Sequence, residues 1–277
     1  MTESLKFDGA LLEDAPKLNL SRRAIICGLA AGTVFPISAC TTNQYTGEQE
    51  FNLFSDAQIG QMAATAWQDM KAQTPQTSSP TLRNRVMRTW NRIERASPKA
   101  GEQWDVAVFD TQDVNAFVMP GNRVGVYRGM VELSENDDQL SAVLGHEIGH
   151  SVYNHAGRRM TRAYAAQAAL VAGQIAVASS DELNQYGSLI GALGGAAVQF
   201  GVILPYSRTS ELEADRVGVD YMYGAGYDVR QSVRLWELMD ANSSGSRPPE
   251  FMSTHPEPSR RASDLRNYIN AKGYALI

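Results

Sequence analysis

Two histidines four residues apart, His146 and His150, bracket Glu147 inside a run whose apolar residues recur with helical period. Leu140, Val143, Leu144 and Ile148 make one apolar side, so the segment is expected to be an amphipathic helix packed on a core. On that helix the two imidazoles lie one turn apart and about 40° around the axis, within reach of a single ion. Ser134 is expected to cap the helix, with Glu135, Asp137 and Asp138 where the helix dipole favours anions. It is expected to run on to about Met160.

Glu147 falls on the flank of the histidine face. From there it can accept a proton from a water at an open coordination position and pass it to a leaving amine. A catalytic zinc needs a third protein ligand besides. His155 is a poor one, because an unbroken helix turns it about 180° from His146; a structural or surface histidine is expected there. The stretch Ser210-Glu211-Leu212-Glu213-Ala214-Asp215 offers carboxylates instead. Glu211 and Asp215 share a helical face, which suits Glu211 as ligand and Asp215 as the group that orients a histidine ring. Spacing equally permits the reverse. Glu213 points away and is placed to close a capping box with Ser210. His255 stands in a loop beside Pro256 and Pro258, which restrict the backbone. It fits three roles: a donor to the oxyanion, a reversible fourth zinc ligand that leaves the site latent, or a plain loop histidine. Tyr206 and Arg208 are rival oxyanion donors.

Around this centre the chain reads as α+β and mostly helical. Residues 41–54 look like a polar tether with a turn at Thr46-Gly47, and Ser55-Asp56-Ala57-Gln58 is a capping box that opens a helix to about Lys71. Leu82, Val86, Trp90 and Ile93 form one stripe of a second helix. At 104–109, 115–119 and 123–127 the pattern changes to short Val/Phe/Tyr-rich runs divided by turn residues, which predicts a small antiparallel sheet beside the histidine helix. Residues 115–119 suit either a strand template for an added peptide or an ordinary core strand. An Ala-rich helix is expected at 161–180. The Gly-rich stretch 186–204 is read as a buried lid rather than a membrane span, and further helices follow from 210, interrupted by a loop at 242–258.

The net charge of −5, without a basic block, excludes a nucleic-acid binder, which needs a basic stripe to meet phosphates. Both cysteines, Cys27 and Cys40, lie in the first 40 residues. Between Arg22-Arg23 and Cys40 runs an uncharged apolar segment too short to span a bilayer, with the anatomy of a secretory signal. Ile37-Ser38-Ala39-Cys40 resembles a lipobox, and the paired arginines partly resemble a twin-arginine signal. Lipid on Cys40 would tether the chain to a membrane, and Thr41 after it favours the outer one.

These motifs together resemble the HtpX-like and CAAX-prenyl-protease-like gluzincin metallopeptidases, in their soluble periplasmic lipoprotein branch of BepA and LoiP type. The resemblance rests on His146-Glu147-x-x-His150 and on Glu211-x-x-Ala214-Asp215 after Tyr206-Ser207-Arg208. Weaker blocks support it at Thr46-Gly47 to Gln58, Asn115-Ala116-Phe117 with Pro120-Gly121, and Ser253-Thr254-His255-Pro256. It implies a zincin-like domain, one Zn2+ on His146, His150 and Glu211, and Glu147 as base. The implied organisation is a signal peptide at 1–39, a tether and N-terminal helix at 40–80, and the metallopeptidase domain at 81–277. The implied work is cleavage of misfolded or stalled envelope proteins. The rivals are a mostly latent protease serving as outer-membrane assembly factor or chaperone, and, last, a hydrolase of peptidoglycan peptides.

Overall fold

The structure, a computed structural model, describes residues 40–162, 206–243, 251, 255 and 258–274. The expected signal peptide, the Ala-rich helix beyond 162 and the Gly-rich stretch 186–204 lie outside the described residues. Among the described residues, no helix is long and apolar enough to cross a membrane.

Residues 41–54 are not a loose tether. Strands β1 (Cys40–Thr42) and β2 (Gln49–Phe51) pair antiparallel as a hairpin, turned through Gly47 at φ 74°. Helix α1 (Asp56–Gln73) follows, with the expected capping box between Ser55 and Gln58. Helix α2 (Pro80–Arg95) buries Val86, Trp90 and Ile93 on one stripe. Strands β3 (Asp105–Phe109), β4 (Ala116–Met119) and β5 (Arg123–Tyr127) form a sheet in the order β3-β5-β4. The β4–β5 hairpin is antiparallel and turns through Gly121 and Asn122, both at positive φ. In contrast to the antiparallel expectation, β3 joins β5 in parallel, so the sheet is mixed. The chain leaving β3 carries β4 to the far edge before β5 returns to the middle, and β5 then runs in the direction of β3.

A short helix α3 (Arg128–Leu133) was not expected, and it takes Ser134 as its own terminus: the hydroxyl donates to Met130 O at 2.9 Å. Capping of the histidine helix, α4 (Asp137–Val152), therefore passes to Asn136, whose side chain accepts from Gln139 N. Helix α4 runs through the middle of the molecule and is buried over almost its whole length. It packs on β4, α2, α5 (Arg208–Gly224) and α6 (Arg230–Ser243), while α7 (Pro258–Lys272) packs on α6 and α5. Glycines set the closest crossing: a methyl group at Gly145 would lie 2.8 Å from Gly218 O, and one at Gly149 would lie 3.0 Å from Ala214 O. Backbones that approach so closely bring the side chains of α5 against those of α4.

Helix α4 ends earlier than its sequence pattern predicts. Asn154 adopts φ 47°, and the chain becomes helical again over 155–162. Asn154 manages both ends of this break. Its Oδ1 accepts from Gly157 N at 3.2 Å, while its Nδ2 donates to Glu50 Oε2 at 3.2 Å.

Candidate metal centre and active site

The close crossing of α4 and α5 brings His146 and His150 against Glu211, and His255 joins them from its loop. All four are buried, and one ligand atom from each lies within 4.8 Å of the others. His146 Nε2 and His150 Nε2 are 2.9 Å apart, and Glu211 lies 3.5 Å and 3.4 Å from them. His255 Nδ1 is 3.1 Å from both Glu211 oxygens and from His146 Nε2. The backbone places His255 through two bonds, His255 N to Phe251 O and Phe251 N to Val114 O. The Phe251 ring stacks on the imidazole, with centroids 4.2 Å apart. On the other side Tyr206 stacks on His150 at 4.0 Å.

Behind the ligand atoms stands a second ring of groups. Asp215 Oδ1 lies 2.9 Å from His146 Nδ1, the position that helical spacing suggested for it. His150 Nδ1 lies 2.7 Å from His155 Nδ1, and His155 Nε2 lies 3.0 Å from Glu213 Oε2. His155 is therefore not turned away from the histidine pair, because the helix on which that expectation rested is broken at Asn154. Glu213 does not close a capping box either. Ser207 caps α5, accepting from Ser210 N, and Glu213 turns to His155. Arg261 has no counterpart in the sequence reading. Its guanidinium is 2% exposed, holds Asp215 through Nε at 2.7 Å and Nη2 at 2.5 Å, and reaches Glu211 through Nη1 at 2.8 Å. It also covers the face of Trp236 at 3.5 Å. Arg208, by contrast, is exposed at the start of α5.

Burial dictates protonation here. It pushes the His146 imidazole down to about 4, helped by Arg261, and drives His150 well below its ordinary value, helped by His146. Both rings are therefore neutral at physiological pH, the form that offers a lone pair to a metal. For Glu211 burial alone would favour the acid, but His255 and Arg261 outweigh it and hold the carboxyl well below the usual range. Asp215 is likewise ionised, because Arg261 overcomes the cost of burial. Glu147 goes the other way: burial and the charge of Glu211 raise it well above normal, while a hydrogen bond with the Val118 backbone opposes this. Its Oε1 is buried with no hydrogen-bond partner among the described residues.

This donor set fits a divalent cation. Ring nitrogens of His146 and His150 and the Glu211 carboxylate converge within 3.5 Å of one another in a buried space, an arrangement that a positive centre between them would stabilise. Two ionised carboxylates, Glu211 and Asp215, also face a single buried guanidinium. Mixed nitrogen and oxygen donors in this number suit zinc.

Residues 80–269 match the sequence profile of peptidase family M48. The chain belongs to that family. Its mostly helical α+β fold and the buried His/His/Glu/His cluster, which could hold a zinc ion, fit a peptidase of that family. It is 32% identical over 185 residues to the mitochondrial metalloendopeptidase OMA1 of Schizosaccharomyces pombe, covering 66% of this chain and 52% of that protein. The Bos taurus metalloendopeptidase OMA1 is 36% identical over 175 residues, 60% of this chain and 32% of the relative. The beta-barrel assembly-enhancing protease of Escherichia coli is 26% identical over 252 residues, 89% of this chain and 51% of the relative. The chain thus spans about half the length of these relatives, or less.

Proposed function

We propose that this chain is an endopeptidase of unfolded or misassembled cell-envelope proteins, with His146, His150 and Glu211 as zinc ligands and Glu147 as general base. The observation that carries the reading is the unpartnered buried oxygen of Glu147, held beside the ligand cluster and next to the backbone of an edge strand. Zinc, when bound, supplies Lewis-acid polarisation of the scissile carbonyl. Glu147 takes the proton of the attacking water and returns it to the leaving amine. Strand β4 lies at the sheet edge along α4, so a substrate can add as a further strand through backbone bonds that demand little of its sequence. Next to Met119 lies a cavity of about 580 Å³ between the β1–β2 hairpin, the start of α1 and Ser151.

His255 favours a second reading of the same site. Its Nδ1 sits within the ligand cluster, and its Nε2 is 3.6 Å from Glu147 Oε1. An imidazole there takes the place that substrate and water need, which supports a latent state relieved by movement of the loop. The lipobox-like Ile37-Ser38-Ala39-Cys40 and the E. coli relative support a tethered protein on the periplasmic side of the outer membrane, near its assembly machinery.

Cleavage of casein and of unfolded outer-membrane protein, with and without a zinc chelator, tests the reading. Wild-type cleavage is expected to be chelator-sensitive. Glu147→Gln is expected to keep zinc and lose roughly 10²–10⁴-fold in turnover. His255→Ala is expected to cleave faster than wild type if the latent state holds. Zinc binding with no cleavage by any variant would move the assignment to an assembly factor or chaperone.

A further inference from the structure

We propose that His155 is a positioning residue that fixes the ring of His150 for the metal, and that the N-terminal hairpin holds His155 in place. The inference rests on His150 acting as a ligand through Nε2. A neutral imidazole has one N–H and one lone pair. His150 Nε2 faces His146 Nε2 and Glu211, so with zinc held there its lone pair would be on the metal and its proton on Nδ1. At 2.7 Å, His155 Nδ1 must then accept that proton's hydrogen bond, which leaves the His155 proton on Nε2, donating to Glu213 Oε2 at 3.0 Å. The three groups thus form one chain of donors with a single direction, ending on a carboxylate that is 29% exposed. Reversing any member sets two N–H groups, or two lone pairs, against each other inside a buried contact. The two ligand histidines are therefore supported differently, His146 by Asp215 directly and His150 through a second imidazole.

This chain exists only because α4 breaks. On a continued helix, five residues past His150 means about 140° around the axis, away from its ring. The hairpin secures the break: Asn43 Nδ2 donates to Val152 O at 2.9 Å, Asn154 Nδ2 to Glu50 Oε2 at 3.2 Å, and Leu53 N to Thr161 Oγ1 at 3.1 Å. The last of these lies on the helical segment that carries His155. Residues just after Cys40 are thereby coupled to the metal ligand.

The experiment measures zinc affinity of the full chain by competition with a fluorescent chelator and, in the zinc-loaded protein, exchange of the His150 Nδ1 proton by ¹⁵N–¹H NMR. His155→Leu is expected to weaken zinc by about 10–100-fold and to leave the His150 Nδ1 proton in faster exchange. His155→Asn keeps an acceptor oxygen where Nδ1 stood and is expected to recover most of the affinity. Glu213→Met, at the partly exposed end, removes the acceptor of the His155 proton and is expected to speed the same exchange with a smaller loss of affinity. Unchanged affinity and unchanged exchange in His155→Leu would overturn the inference. If His155→Leu fails to fold, unchanged exchange in Glu213→Met overturns it equally. Retention of full zinc affinity by His150→Ala would instead show that the ligand assignment is wrong.

Discussion

Asp215 and Arg261 show how single residues set the character of the site. Asp215 lies against His146 Nδ1, so Asp215→Asn is expected to weaken zinc by about 10–100-fold in a chelator competition, because a carboxylate that orients a ligand ring is lost. Arg261 is a fully enclosed cation between Asp215 and Glu211. Its removal leaves two buried ionised carboxylates without the cation they share. Arg261→Met is therefore expected to cost the zinc-free protein about 3–5 kcal/mol in urea unfolding, and less when zinc is present to replace the charge. His146, Glu147 and His150 were legible in the sequence because one helix turn relates them. Arg261 was not: one of two adjacent arginines in a polar helix start looks like any solvated arginine until α7 turns it inward.

At the scale of elements, the site depends on how close α4 and α5 come and on how α4 is anchored at its start. A methyl group at Gly218 would lie 2.9 Å from the carbonyl carbon of Gly145 and from His146 N. Gly218→Ala is expected to destabilise the protein by about 1–3 kcal/mol and also to weaken zinc, since Glu211 moves with α5. Paired urea unfolding and chelator competition read both effects. At the other end, Arg85 and Arg88 of α2 hold Asp137 in the first turn of α4 at 2.9 Å and 2.7 Å. Burial works against ionisation of Asp137, but the bonds from Arg88 and Arg85 outweigh it and hold its carboxyl below the usual range. Its contribution to stability is present above the unfolded value of about 4 and is lost as pH falls through the lower folded value. The stability difference between wild type and Asp137→Asn is thus expected to be present at neutral pH and to close in acid, measured by urea unfolding across that range.

For the molecule as a whole, the cluster proposed to hold zinc draws on α4, α5 and the loop of His255, which are distant in sequence and joined only by packing. Zinc should therefore act as a cross-brace. At a free concentration a hundred times its dissociation constant it is expected to add about 2.7 kcal/mol, seen as a chelator-dependent drop in Tm. Composition and periodicity alone determined the α+β class, the helices over Val86–Trp90–Ile93 and around His146, the three strand positions, and a histidine pair spaced to reach one metal ion. These are local patterns, written in the spacing of residues on one element. Tertiary structure decided the rest. It made the sheet mixed, folded residues 41–54 into a hairpin, broke α4 at Asn154, and brought His155, Glu213 and Arg261 behind the ligands. Asn154 shows the reason. An asparagine tolerates a left-handed backbone but does not require it, and here Glu50, more than a hundred residues earlier, supplies the partner that selects it. A residue's local preference is written in its own neighbourhood, but a choice made by a distant partner exists only once the chain has folded.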